Sequence, residues 1–294
     1  DNSPETMTVN LQYQGNTIQT TTYCTTATNG FTGGTGTYSD PYLISTKEQF
    51  MLIEDGLDKH YVLTRNIDFN GATLTPFGCT SNPSGGESVE EFTGTLDGNG
   101  HTISNFNIEG RINTGLFATI GSNGTVCNLS IEDACIKANP NQATSTQSQF
   151  FVGAFAGENY GKIKSCVVSK SVKAEESNKE VGVFFDLNNT TINRNIYVYI
   201  GGISGVNSNL ISCCKVQNIT VKANSEHSFG GENTKTNKNS VYAGGLVGGN
   251  SGLLGYSLVD AATTITAKSA STLSPKTTVN PYVVGVAGGI CGKV

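Results

Sequence analysis

GLFATIGSNGTVCNLSI (115–131) is followed by four stretches built on the same plan. They are VGAFAGENYGKIKSCVV (152–168), IGGISGVNSNLISCCKV (200–216), AGGLVGGNSGLLGYSLV (243–259) and VVGVAGGICGKV (283–294). Each opens on a glycine-led apolar run and goes on through a turn into a short apolar strand. Upstream, NGHTISNFNI (99–108) matches NGTVCNLSI (123–131) with one residue deleted. Anchored on the central turn residue, Gly100, Gly124, Gly161, Asn209, Gly252 and Gly292 lie 24, 37, 48, 43 and 40 residues apart. Self-similarity at such periods is the signature of stacked supersecondary units. The spacing predicts a solenoid turn of about 24 residues, the excess in each copy being insertion.

Within a copy, an apolar residue, two small or polar ones and then two alternating apolar ones recur. The sets are Ile103/Phe106/Ile108, Val126/Leu129/Ile131, Ile163/Cys166/Val168, Ile211/Cys214/Val216 and Leu254/Ser257/Val259. Strict alternation would throw the later residues to the opposite face. All stay inside if the chain turns a corner at the two-residue step, which predicts three short strands per turn around a triangular or L-shaped section. Stacking then predicts an inward column of Phe106, Leu129, Cys166, Cys214 and Ser257. The insertions, roughly 132–150, 169–199, 217–240 and 260–281, are polar and fall at one vertex, the first place to seek binding through side chains.

Composition agrees with a β-rich, turn-rich chain. Of 294 residues, 36 are Gly, 36 Thr, 30 Asn and 26 Ser, while charged residues make up 14%, against ~25% in ordinary soluble proteins. The helix formers Ala, Leu, Glu and Lys are scarce, which excludes an all-helical fold. The net charge of −5 and the absence of a basic tract exclude nucleic acid as a partner, since phosphate binding needs a cationic footprint. The longest apolar stretch, YVVGVAGGIC (282–291), is half the length of a membrane-spanning helix. Starting at Asp1 without Met, the chain reads as mature or trimmed material.

Eight cysteines form an even set without CxxC, and His60, His101 and His227 are scattered, so no zinc site and no cofactor are expected. An oxidising compartment would allow disulfides among Cys24, Cys79, Cys127, Cys135, Cys166, Cys213, Cys214 and Cys291. Cys166 and Cys214 would sit one above the other, as a thiol ladder or a bond, with Cys127 and Cys213 pointing outward at corners. Sequons occur at Asn123, Asn128, Asn188, Asn189 and Asn218, about the number that chance predicts for this composition. They are compatible with secretion.

Ahead of the repeats, GGTGTYSDPYLIST (33–46) leads into KEQFMLIEDGL, the one convincing helix, over 46–57. Ser45 with Glu48 reads as a capping box, Phe50, Ile53 and Leu57 share a face, and Gly56 is the stop. YVLTRNIDF (61–69) and FTGTLDGNGHTISN (92–105) follow. This succession, with GLFATI and the glycine-led copies, resembles the GLUG-repeat, filamentous-haemagglutinin-like surface proteins over residues 33–294. The resemblance implies a right-handed parallel β-helix, all-β, extracellular or cell-surface, structural or adhesive and without catalytic residues to transfer. VGAFAG and IGGISG depart from the family's glycine pattern.

Three segments are expected: a β arm or small module (1–32), a cap with the first coils (33–98) and the repeats (99–294). In the arm, Val9, Leu11 and Tyr13 alternate before a Gly15-Asn16 turn and Ile18 follows, as in a β-hairpin or extended strand. At the other end the chain stops inside a repeat, with Val294 aligned on Ile163, leaving Val284, Val286 and Val294 on an open edge. The sequence therefore points to a structural surface glycoprotein that self-associates end to end through the arm. An adhesin binding cell-surface glycans through the loop-bearing edge is the alternative. A polysaccharide-processing enzyme is the weakest reading, because Asp97, Glu109, Glu132 and Asp133 do not recur at ladder spacing. Asp97 reads as a turn residue and His101 as a local hydrogen-bonding partner.

Overall fold

The computed structural model describes residues 5–13, 16–25, 30–81, 87–139, 149–176, 179–191, 195–229, 238–273 and 282–294. Glu5–Tyr13 and Asn16–Thr25 pair antiparallel with each other and with no other described strand, so the arm takes the hairpin form. The side chains of Val9, Leu11, Tyr13, Ile18 and Cys24 lie outside the described residues.

From Tyr42 on the strands build a parallel β-helix, apart from the antiparallel pair Cys79–Ser81 and Glu87–Val89. One coil runs through Phe117–Ile120 (face A), Thr125–Cys127 (face B), Ser130–Glu132 and Cys135–Ala138 (the two halves of a bent face C) and Gln149–Val152 (face D). The next coil repeats this order as Ala156–Asn159, Lys162–Lys164, Val167–Ser169, Gly182–Thr191 and Ile196–Gly201. Each strand pairs in parallel with its equivalent above and below. A coil therefore has five short strands on four faces, not the three that the repeat pattern predicted. The supposed insertions hold the two missing strands. Thr220–Phe229 with Lys238–Gly244, and Thr264–Leu273 with Tyr282–Gly288, continue the outer half of face C and face D. Their Thr-, Ser- and Lys-rich outer positions hid them. The remaining connections, near 139–148, 192–195, 230–237 and 274–281, lie almost wholly outside the described residues. Not every insertion shares that vertex, because the short helix Val172–Glu176 interrupts face C between its halves.

The alignment of 99–108 onto 123–131 is also corrected. Val126 pairs with Leu96, 30 residues earlier, whereas Ile103 pairs with Ile131. The corner after Asp97 takes four residues, 98–101, where the corner after Cys127 takes two. Phe106 therefore leaves the predicted column, which holds Leu129, Cys166, Cys214 and Ser257. Near the end, Gly249 pairs with Lys293, placing Val294 level with Asn250 on face A, not with Ile163.

Inward columns such as Val126–Ile163–Ile211 and Ile103–Ile131–Val168–Val216 are fully or almost fully buried. The corners after faces B and within face C need left-handed backbone. Asn128, Ser165, Cys213 and Tyr256 supply it at one (φ 51°, 53°, 56° and 46°), and Asn105, Asp133 and Asn218 at the other (56°, 55° and 54°). Asn and Asp tolerate this region through local hydrogen bonds. Ser, Cys and Tyr at equivalent positions are held there by the parallel pairing on either side.

Aromatic side chains fill the first coils. The helix Lys47–Met51, continued by the 3-10 turn Leu52–Asp55, lays Phe50 against Phe69 (5.6 Å) and Phe77 (5.7 Å). Phe50 and Ile53 are fully buried, whereas Leu57 is half-buried. The N-cap is Thr46, not Ser45: its Oγ1 accepts from Gln49 N (3.2 Å), and Gln49 Oε1 accepts from Ser45 N (2.8 Å). Glu48 lies in the first turn, where its own N–H and Thr46 hold its carboxyl below the usual range.

Candidate functional site

Faces A and D meet at a concave corner, and a column of glycines allows it. Ala118, Gly157, Gly205, Gly248 and Gly292 occupy one position on face A of successive coils. Each glycine lies against the face D backbone one rung before the face D strand that leads into its own face A strand. A Cβ on Gly205 would stand 2.5 Å from Val152 N, and one on Gly157 2.9 Å from Thr114 N. Alanine appears only at Ala118, whose strand follows the first described rung of face D, Asn113–Thr114, with no described rung before that one. Behind this corner, Asn159, Asn207 and Asn250 form an inward amide ladder. Asn159 Nδ2 donates to Asn207 Oδ1 (2.7 Å), and Asn207 Nδ2 to Asn250 Oδ1 (2.8 Å).

The outward side chains beside the glycines line a cleft along the coil axis. Face D contributes Asn113, Phe151, Tyr199 and Tyr242 in register. Face A contributes Glu91, Thr119, Glu158, Val206, Gly249 and Lys293. Phe151 stacks on Tyr199 (5.5 Å, 20°) and Tyr199 on Tyr242 (5.1 Å, 21°), with Lys293 Nζ 5.0 Å from the Tyr242 ring centre. The cleft has a lobe of about 520 Å³ around Phe151, Asn113, Glu91 and Glu158. A second, of about 310 Å³, lies around Tyr199, Val206 and Lys293. Glu158 is held at both oxygens, by Asn113 Nδ2 (2.6 Å) and Tyr160 OH (2.9 Å). Burial, the Glu158 hydrogen bond and the Glu158 and Glu91 charges push the Tyr160 hydroxyl up to about 12, so it remains a donor. Nothing in the sequence repeats announces the cleft, since its face A wall belongs to the glycine-led strands but most of its face D wall falls in segments read as insertions.

The terminal coil is the other exposed feature. Leu253–Gly255, Leu258–Val259, Thr264–Leu273, Tyr282–Gly288 and Cys291–Lys293 each end their sheet. Leu254, Val259 and Ile265 are only partly buried, whereas Ile211, Val216 and Val221, one rung earlier, are fully buried. Val284 is half-buried, Val286 exposed, and Val294 99% exposed.

Other residues singled out in the sequence have local roles. Asp97 accepts from Asn99 N (2.8 Å) and Asn128 Nδ2 (3.0 Å). Asp133 accepts from Ser171 N (2.7 Å) and Oγ (2.6 Å). His101 Nδ1 is 3.2 Å from Asn66 Oδ1, and Glu109 lies in register with Lys137 on the outside of face C. Among the described residues no three His, Cys, Asp or Glu side chains converge as a metal site would require. No described helix is long and apolar enough to cross a membrane. His227 and Asn189 have side chains outside the described residues.

No disulfide links Cys79, Cys127, Cys135, Cys166, Cys213, Cys214 or Cys291. Cys166 and Cys214 are stacked in the core, their thiols turned to Lys164 O and Ser212 O (3.3 Å each). Side chains in register point the same way, which is poor geometry for a bond. Burial pushes the Cys166 thiol well up. Cys213 is exposed at its corner, but Cys127 is the last residue of its strand and half-buried beside Asp97. Of the sequons, Asn123 is exposed in a turn, whereas the Asn128 and Asn188 amides donate to Asp97 and Asp186. Asn218 sits at a left-handed corner, its N–H on Asp260 Oδ1 (3.0 Å).

About half of the chain is similar to segments of two curated proteins. It is 33% identical to halomucin of Haloquadratum walsbyi over 150 residues, 49% of this chain and 2% of halomucin. It is 36% identical over 142 residues, 47% of this chain, to 15% of an Evansella cellulosilytica protein described as a Gly-rich membrane protein. Among solved structures, a Bacteroides ovatus protein described as an immunoglobulin A1 protease aligns over 88% of this chain and 86% of its own, at 13% identity and a TM-score of 0.33. That score is too low to add to the fold seen here. No family model matches the chain, so the GLUG-repeat resemblance rests on the residues quoted above.

Proposed function

We propose that this chain is a non-catalytic β-solenoid module of an extracellular or cell-surface protein, forming a rod that joins end to end with a second copy. The observation that carries the reading is the hairpin Glu5–Tyr13/Asn16–Thr25, which among the described strands pairs only with itself and so keeps two free edges. Such edges template further strands. The hairpin strand Asn16–Thr25 has ten residues, as have Gly182–Thr191, Thr220–Phe229 and Thr264–Leu273, the outer strands of face C that it would continue in a second copy. A head-to-tail contact of this kind does not close and propagates as a filament. The non-catalytic part is supported by Asp97 and Asp133, whose carboxylates hold corners. The location is supported by the similarity to halomucin and to a protein described as a membrane protein. In this reading Asn123 is the best-placed acceptor of an N-linked glycan.

Sedimentation velocity over a hundredfold range of concentration, with negative-stain electron microscopy, tests the assembly. Concentration-dependent rods are expected, lost on deleting residues 1–25. Monomers at every concentration, or rods that survive the deletion, would overturn the reading.

A further inference from the structure

We infer that the cleft between faces A and D binds a neutral glycan laid along the coil axis, with a sugar ring against Phe151. Unlike the end-to-end contact, this is an activity of the isolated coil stack. The ring ladder has a free end: Tyr199 covers one face of Phe151, and the next rung on the other side is Asn113. The larger lobe opens on that side, about 520 Å³ in volume, within the range of small-molecule sites. An apolar ring face beside fixed carboxylate and amide groups suits a pyranose, which presents a C–H face and a rim of hydroxyl donors. Glu158 is pre-oriented by Asn113 and Tyr160, so its remaining acceptor capacity points from a fixed carboxylate. Glu91, two rungs below on the same column, adds a second acceptor.

Charge selects the class of glycan. Glu91 and Glu158 line the Phe151 lobe and, among the described residues, no cation does, so an acidic polysaccharide would meet like charge there. Lys293, at the far end, is engaged over Tyr242 and Tyr199. From Glu91 to Lys293 the column covers five steps between coils, about 24 Å at strand spacing. That is long enough for several sugar units. The cleft thus takes over the binding role that the sequence had placed on the loop-bearing edge.

Affinity electrophoresis through gels containing mannan, a β-glucan, a galactan or polygalacturonate provides the test, run with the whole chain and with the chain lacking residues 1–25. Retardation by at least one neutral polysaccharide is expected, equal in the two proteins. Phe151→Leu, which keeps an apolar side chain, and Glu158→Gln, which keeps an acceptor for Tyr160, should each weaken it about tenfold. Their melting curves should match that of the parent protein. No retardation by any neutral polysaccharide, retardation by polygalacturonate alone, or neutral binding unchanged in both cleft variants would overturn the inference. If only the deletion of residues 1–25 abolished binding, the inference would also fail, because the end-to-end contact and not the cleft would then be responsible.

Discussion

Replacing Gly205 by Ala adds one methyl group where the structure has no room for it. The new Cβ would stand 2.5 Å from Val152 N, 2.7 Å from Gly157 O and 2.8 Å from the Phe151 carbonyl carbon. Carbon atoms in good contact sit ~3.5–4.0 Å apart, so three backbone atoms would have to retreat by roughly 1 Å. None can move alone, because Val152 pairs with Ile200 in the next coil and Gly157 lies between paired residues of face A. Overpacking of this kind costs about 1–3 kcal/mol in side-chain surroundings, and rigid paired backbone belongs at the upper end. Removing a glycine restricts the unfolded chain and returns about 0.4–1 kcal/mol. The net loss is about 2 kcal/mol, or roughly 4–8 °C in melting temperature for a domain of this class. Gly289→Ala is the control, since a Cβ there has nothing within 4 Å. Urea unfolding followed by circular dichroism should show a lower midpoint for Gly205→Ala at unchanged slope, and none for Gly289→Ala. Equal midpoints in the two variants would refute the argument that the corner, not turn chemistry, imposes the glycine column.

Three further outcomes are expected. Asn207→Ala removes the middle of the amide ladder and leaves one N–H of the buried Asn159 amide without its acceptor, the other staying on Leu210 O (3.3 Å); a loss of about 1–3 kcal/mol is expected in the same assay, and a change below about 0.5 kcal/mol would count against the ladder. Among the seven described cysteines, maleimide at pH 7 should modify exposed Cys213 fastest, while Cys166 and Cys214 react only in denaturant; peptide-resolved mass spectrometry over time checks this. Burial raises the Glu54 carboxyl above its ordinary value, although Gly78 N–H donates to it (2.8 Å). The folded state therefore holds that proton more tightly than the unfolded state, and stability is lost as pH rises through the raised value. Glu54→Gln should accordingly stabilise the protein at pH 7, with the advantage vanishing below about pH 4; a difference independent of pH would contradict it.

Where the sequence was read correctly, the signal was local. Val126-Cys127-Asn128-Leu129 and Ile163-Lys164-Ser165-Cys166 carry the corner between faces B and C in four adjacent residues, and equivalent residues stack as expected. The helix near 46–57 was legible from Phe50 and Ile53, although Thr46 and Gln49 do the capping that Ser45 and Glu48 were expected to do. The outer half of face C and face D escaped notice. Their inward residues, Val183, Val221 and Val241 among them, alternate with Lys, Asn, Thr and Ser, and the connections between them vary in length.

The repeat of glycine-led strands, and with it a stacked parallel coil, follows from side-chain period and spacing alone, because those depend on neighbours within a few residues. The cleft could not be read in that way. Phe151 and Glu158 lie seven residues apart, and Tyr199 and Lys293 far beyond, on strands whose meeting depends on how sharply faces A and D fold together. That angle is fixed by contact between backbones of successive coils at Gly157, Gly205 and Gly248. It is a long-range steric condition, to which local hydrophobic pattern is blind.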